Sequence, residues 1–228
     1  MNQKAEVIAY HGWGFEGEIW DLWQTYLEPG YRLKKFNRGY FGSENNLEFE
    51  KDSFKKIIFT HSFGLHLCPV EQFDQADLLI IFSGFGTFHP HAPQFKKRSR
   101  YIVGQMLKKF RKNPGEVVEA FKQNCYFPEP YSKDENDDMN TKKLEKDLQA
   151  LNDSQIDIEN LKKVPRICIL HGAKDTIVPK TKGRILFDKL KDRSQYFEIK
   201  EAGHALPFTH TQKCWSFLKP EFESLINN

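Results

Sequence analysis

Six short, largely apolar runs recur along the chain: Glu6–Tyr10, Arg32–Phe36, Lys56–Phe59, Leu78–Phe82, Ile167–Leu170 and Gln195–Ile199. Leu78–Phe82 is apolar at every position, the pattern of a strand covered on both faces rather than one. Between the runs lie longer stretches with helical patterning, at Glu18–Leu27, Ser43–Phe54, Phe63–Phe73, Thr181–Leu190 and Thr211–Ile226. Short buried strands alternating with helices predict an α/β protein. Its sheet would be mainly parallel, of about six strands, with right-handed crossover connections.

The rhythm fails between Ser83 and Pro165. Four amphipathic stretches stand there without intervening strands, near Gln94–Phe110, Pro114–Asn124, Met139–Leu151 and Ile156–Lys163. They predict a helical lid subdomain at about residues 88–163, inserted after the fourth strand and lying over the strand ends. The segment Phe127–Asp138, with Pro-Glu-Pro and then an acidic run, reads as an exposed, mobile loop.

Composition narrows the setting. A chain of 228 residues suits one domain with such an insertion. A net charge of +3 is too small to imply nucleic-acid binding. Neither a near-twenty-residue apolar run nor a charged-then-apolar leader occurs, so the expectation is a cytoplasmic protein without a membrane span; a monomer is expected. Cys68, Cys125, Cys168 and Cys214 are widely spaced and read as free thiols. His89-Pro90-His91 has no accompanying Cys, Asp or Glu cluster, and neither a metal nor a cofactor is expected.

The third apolar run leads into Phe59-Thr60-His61-Ser62-Phe63-Gly64. A strand ending in x-x-Ser-x-Gly reads as a sharp strand-to-helix turn that exposes a serine nucleophile, with Thr60 in place of the usual first glycine. The plain alternative is a serine capping a helix. Asp175 follows the fifth run and His204 follows the sixth, so the order is Ser…Asp…His, with each residue past the carboxyl end of a strand. Ser62, Asp175 and His204 are the candidate catalytic triad: nucleophile, orienting acid and general base. After the first run comes His11-Gly12-Trp13-Gly14. Backbone N–H groups of Trp13 and Phe63 are the candidate oxyanion donors. Trp13, Phe85, Phe88 and Phe208 are candidates for an apolar acyl pocket, though each could equally be ordinary core. Between Pro93 and Lys112 stand Lys96, Lys97, Arg98, Arg100, Lys108, Lys109, Arg111 and Lys112 with no acidic residue. They form either a solvated helical face or a docking patch for an acidic partner.

These residues resemble the α/β-hydrolase family along the whole chain. More narrowly, His11-Gly12-Trp13-Gly14 with Glu18-Ile19-Trp20, Arg38-Gly39-Tyr40-Phe41-Gly42, Leu148-Gln149-Ala150-Leu151 with Asp157-Ile158, and Gly203-His204-Ala205 with Pro207-Phe208 look like the pimeloyl-[acyl-carrier-protein] methyl ester esterases of biotin synthesis. The usual first hairpin of the α/β-hydrolase sheet is missing, and similarity is low through Pro90–Asp138. The resemblance implies hydrolysis of the methyl ester of pimeloyl-acyl carrier protein, with that carrier protein as partner. Rival readings are a general small-ester carboxylesterase or thioesterase, a carbon–carbon bond hydrolase, and a non-catalytic binding protein on the same scaffold.

Overall fold

A computed structural model describes residues 5–132 and 138–226. Six strands form one sheet: β1 (Ala5–Tyr10), β2 (Tyr31–Lys35), β3 (Lys56–His61), β4 (Leu78–Phe82), β5 (Arg166–Gly172) and β6 (Ser194–Ile199). The order is β2-β1-β3-β4-β5-β6 and every neighbouring pair is parallel. All six expected strands are present: β4 has the expected bounds, β2 is shifted by one residue, and the others are longer by one to three residues. Around them lie α1 (Asp21–Leu27), α2 (Gly64–Leu67), α3 (Val70–Phe73), α8 (Lys180–Leu190), α9 (Leu206–Thr209) and α10 (Thr211–Ile226).

Alternate strand residues serve opposite layers. Val7, Phe59, Ile80 and Phe82 pack on Trp20, Trp23 and Phe222, whereas Ile8, Ile58, Leu79 and Ile81 pack on Leu65, Leu186 and Leu190. Burial on both faces is why these strands read as unbroken apolar runs. Each fully buried large side chain contributes roughly 1.5–3 kcal/mol.

The expected Glu18–Leu27 helix opens as a 3-10 turn over Gly17–Trp20 before α1, and two other expected helices differ more. Residues 43–54 form no helix, because distant groups capture the backbone first. Asn45 donates to Asn37 O, Glu50 N–H and the Ser53 hydroxyl both donate to Glu6 Oε2, and Gln72 Nε2 donates to Leu47 O. Such side-chain bonds outcompete a helical ladder. The expected Phe63–Phe73 helix splits into α2 and α3 at Cys68-Pro69, since proline cannot continue a helix from within.

Between β4 and β5 the chain forms α4 (Pro93–Phe110), α5 (Pro114–Tyr126), α6 (Thr141–Ala150) and a single turn, α7 (Ile158–Leu161). Residues 133–137, which hold most of the acidic run of the expected loop, lie outside the described residues. Val103, Leu107, Phe110, Val118, Leu144 and Leu148 of this insertion pack on Trp13, Tyr40, Phe63 and Phe85 at the strand ends. Polar bonds add direction. Arg38 donates through Nε and a terminal nitrogen to the two oxygens of Asp147 (2.7 and 3.0 Å), and Tyr40 Oη donates to Asp147 Oδ2 at 2.8 Å. Trp13 Nε1 donates to Leu144 O at 2.8 Å, and Ala205 N–H donates to Cys125 O at 2.9 Å.

Candidate active site

β3 delivers Ser62 into a turn with φ of 56°, the left-handed region that a non-glycine residue enters only at a cost of about 1–3 kcal/mol. Two contacts hold the turn. Ser62 N–H donates to Phe82 O at 2.9 Å, and Gly64 lets α2 start against β1. A Cβ on Gly64 would stand 2.4 Å from Tyr10 O, so no other residue fits there. Thr60, in the place of the usual first glycine, is fully buried and its hydroxyl donates to Ile80 O.

Asp175 lies on the loop past β5 and is buried. Its Oδ1 accepts from the N–H groups of Ile177 and Val178 (2.9 and 2.8 Å), while Oδ2 accepts from His204 Nδ1 at 2.8 Å. His171 Nε2 approaches the same oxygen at 3.3 Å. Burial pushes the Asp175 carboxyl up, but its interactions with His204 and then His171 outweigh it and hold the carboxyl well below the usual carboxylate range. The bond to Asp175 fixes the His204 tautomer and leaves Nε2 as the acceptor. That nitrogen is buried and has no hydrogen-bond partner among the described residues, so Ser62 and His204 are not bonded to each other here. Catalytic hydrogen bonds are often long without substrate.

His61 sits beneath this pair. Its Nε2 donates to His204 O at 3.1 Å, its ring lies 4.8 Å from the His204 ring, and burial pushes its imidazole well below the ordinary histidine range. His11 is held neutral in the turn after β1: Nδ1 meets Gly12 O at 2.8 Å, Nε2 accepts from Arg38 N–H at 3.0 Å, and burial pushes it down to about 4.

Trp13 and Phe63 are both buried, and their backbone N–H groups donate to no protein acceptor among the described residues. Two free donors beside the serine turn suit a developing negative charge. A cavity of about 450 Å³ opens over them, lined by Ser62, Trp13, Phe63, Phe85 and Phe88, with Val103 and Met106 from α4. Clefts of about 410 and 490 Å³ elsewhere include none of Ser62, Trp13 and Phe63.

One expected pocket residue is misplaced. Phe208 does not line this cavity, because the single turn α9 carries its ring back against Phe15, His61 and Tyr126. Of the eight basic residues, Arg98 lines the cavity. Arg100 bonds Asp153 Oδ1 and Asn152 O, and Arg111 bonds Glu145, so these two serve the insertion itself. Lys96, Lys97, Lys108, Lys109 and Lys112 are exposed. The sequence reading missed His61 and His171 as supports of the pair, although each stands beside a motif it used. It also missed Lys182 in the cavity wall. Among the described residues no cluster of His, Cys, Asp and Glu suits a metal, and no helix is long and apolar enough to cross a membrane.

No family model matches the chain. The solved structures it resembles are α/β-hydrolases. An esterase from Exiguobacterium antarcticum superposes with a TM-score of 0.76 at 14% identity, covering 99% of this chain and 93% of that one. A hydrolase from Oleispira antarctica gives 0.71 at 15% identity, covering 100% and 92%. A bromoperoxidase from Bacillus anthracis gives 0.73 at 15% identity, covering 99% and 92%. The chain therefore has the α/β-hydrolase fold. In sequence, 57 residues are 35% identical to the pimeloyl-[acyl-carrier protein] methyl ester esterase of Legionella pneumophila, a stretch spanning 25% of this chain and 23% of that relative.

Proposed function

We propose that this protein is a serine hydrolase of carboxylic esters, with Ser62, His204 and Asp175 as nucleophile, general base and orienting acid. The observation that carries the reading is one of convergence. A strained serine turn, a buried Asp–His pair with a free imidazole nitrogen, and two uncommitted N–H groups meet at one end of the fold. His204 Nε2 takes the hydroxyl proton as Ser62 Oγ attacks the ester carbonyl. The N–H groups of Trp13 and Phe63 hold the oxyanion, each worth roughly 3–4 kcal/mol of barrier. The His204 imidazolium, stabilised by Asp175, gives its proton to the departing alkoxide. Water then enters, His204 accepts its proton, and the acyl–Ser62 ester is cleaved to the free acid.

The finer reading is that the ester is the methyl ester of pimeloyl-acyl carrier protein, giving methanol and the free ω-carboxylate. Two features support it. One is the partial likeness to the Legionella esterase. The other is the exposed run of lysines on and after α4, which suits an acidic carrier. A general small-ester esterase is the second reading, favoured by the openness of the cavity edge, where Phe95 and Ile102 stand more than half exposed. The hydrolase reading is tested with a fluorophosphonate, which should label the native chain and not Ser62→Ala. The substrate is tested by rescue of biotin-requiring cells that lack their own pimeloyl ester esterase. Labelling without rescue would leave the general esterase.

A further inference from the structure

Lys182, in the first turn of α8, stands in the wall of the Ser62 cavity and donates to Thr87 O and His89 O, both at 2.7 Å. An ammonium has three donors, so one remains after these carbonyls are served. No carboxylate pairs with Lys182 among the described residues. Arg98 lines the same cavity from α4 and makes neither an ion pair nor a hydrogen bond among the described residues. The described lining contains no Asp or Glu. Elsewhere part-buried cations are matched with carboxylates: Lys34 with Glu6, Lys143 with Glu44, and Arg38 with Asp147. Half-burying an ammonium without a counter-charge is unfavourable. Burial accordingly pushes Lys182 down to about 8, which still leaves it mostly protonated at neutral pH.

We infer that Lys182 and Arg98 form a subsite for an anionic group, carboxylate or phosphate, carried by the same molecule whose ester is cleaved at Ser62. The inference rests on the esterase reading and deepens it. The substrate would be an amphiphile, with an apolar chain along Phe85, Phe88 and Met106 and a charged group held at the cavity wall. The carbonyls of Thr87 and His89 fix the ammonium in place, so the subsite is pre-organised rather than assembled on binding.

The test compares three esters of equal chain length, ending in a methyl group, a carboxylate or a phosphate. The measured quantity is kcat/KM for each anionic ester divided by that for the neutral one. The wild type should favour one anion over the neutral ester, and the preferred anion identifies the source. Lys182→Met should lower that ratio tenfold or more, the worth of one hydrogen bond to a charged group. Arg98→Gln, an exposed position that should not trouble folding, should lower it in the same direction. An equal loss on neutral and anionic esters, or a wild-type ratio at or below one for both anions, would overturn the subsite. Calorimetric titration of Ser62→Ala with the free seven-carbon dicarboxylate supplies a readout without turnover. Binding that weakens tenfold on adding Lys182→Met supports the subsite even if no ester is cleaved, an outcome that would sink the esterase reading alone. Unchanged binding overturns the subsite.

Discussion

Asp147 is the point at which removal of one side chain should detach the insertion from the sheet. Its carboxylate is buried and accepts three hydrogen bonds, two from Arg38 and one from Tyr40, whose ring is fully buried. Asp147→Ala leaves the Tyr40 hydroxyl and the Arg38 Nε–H without acceptors. Each buried orphan costs about 1–3 kcal/mol, and breaking a buried pair from one side about 3–5 kcal/mol. Arg38 keeps Glu44 at 3.0 Å and its side chain is 21% exposed, so the low end applies, about 3 kcal/mol. For a chain of this size that is a fall in Tm of roughly 6–12 °C, measured by calorimetry and by urea titration. Arg38→Met combined with Asp147→Leu should recover much of the loss, since neither charge is then stranded. A melting point within a degree of the parent for Asp147→Ala would refute the clamp. So would a double variant no better than the single one.

Ser62→Ala should lose ester hydrolysis by several orders of magnitude while keeping the parent circular dichroism spectrum, and more than a few per cent residual kcat would remove Ser62 as nucleophile. Gly64→Ala should abolish activity and lower Tm, because its Cβ would meet Tyr10 O at 2.4 Å; an active, stable variant would show that the turn can shift. Thr60→Gly should lower stability by about 1–2 kcal/mol in a urea titration and leave kcat within a few-fold, since Thr60 fills a strand interior and faces no substrate. His11 and His66, both pushed down to about 4 by burial, bind fewer protons folded than unfolded. Their contribution is therefore complete above pH ~6.5 and is lost as pH falls toward 4, up to about 3 kcal/mol each. Tm should drop over that window, and His66→Gln should flatten the slope; a Tm independent of pH there would contradict neutral burial.

What the sequence made legible follows from how the residues are held. Leu78–Phe82 is buried at every position, so no polar interruption hid the strand. Asp175 and His204 stood out because a parallel sheet sends the loops after its strands to one end, and their separation in sequence does not matter. Residues 43–54 were misread because their conformation is decided by Glu6 and Gln72, on other elements, and local spacing carries no trace of that. Phe208 was expected in the cavity because it follows His204 closely, but its ring packs on Phe15, His61 and Tyr126. Lys182 looked like any solvated position on an amphipathic helix. Its two carbonyl partners lie 95 and 93 residues earlier, and only the folded chain brings them together.

The bond from Ala205 to Cys125 gives the insertion a second meaning. The backbone of α5 grips the loop that carries His204, and a Cβ on Gly203 would fall 1.8 Å from Phe127 O. The helices that line the Ser62 cavity and the loop that carries His204 thus share one mechanical joint. Any graft that exchanges the insertion to alter substrate choice must carry the 125–127 backbone across unchanged, or it will retune the histidine along with the pocket. Substitutions of cavity-lining side chains such as Ile102, Phe121 and Leu148 would leave that joint in place.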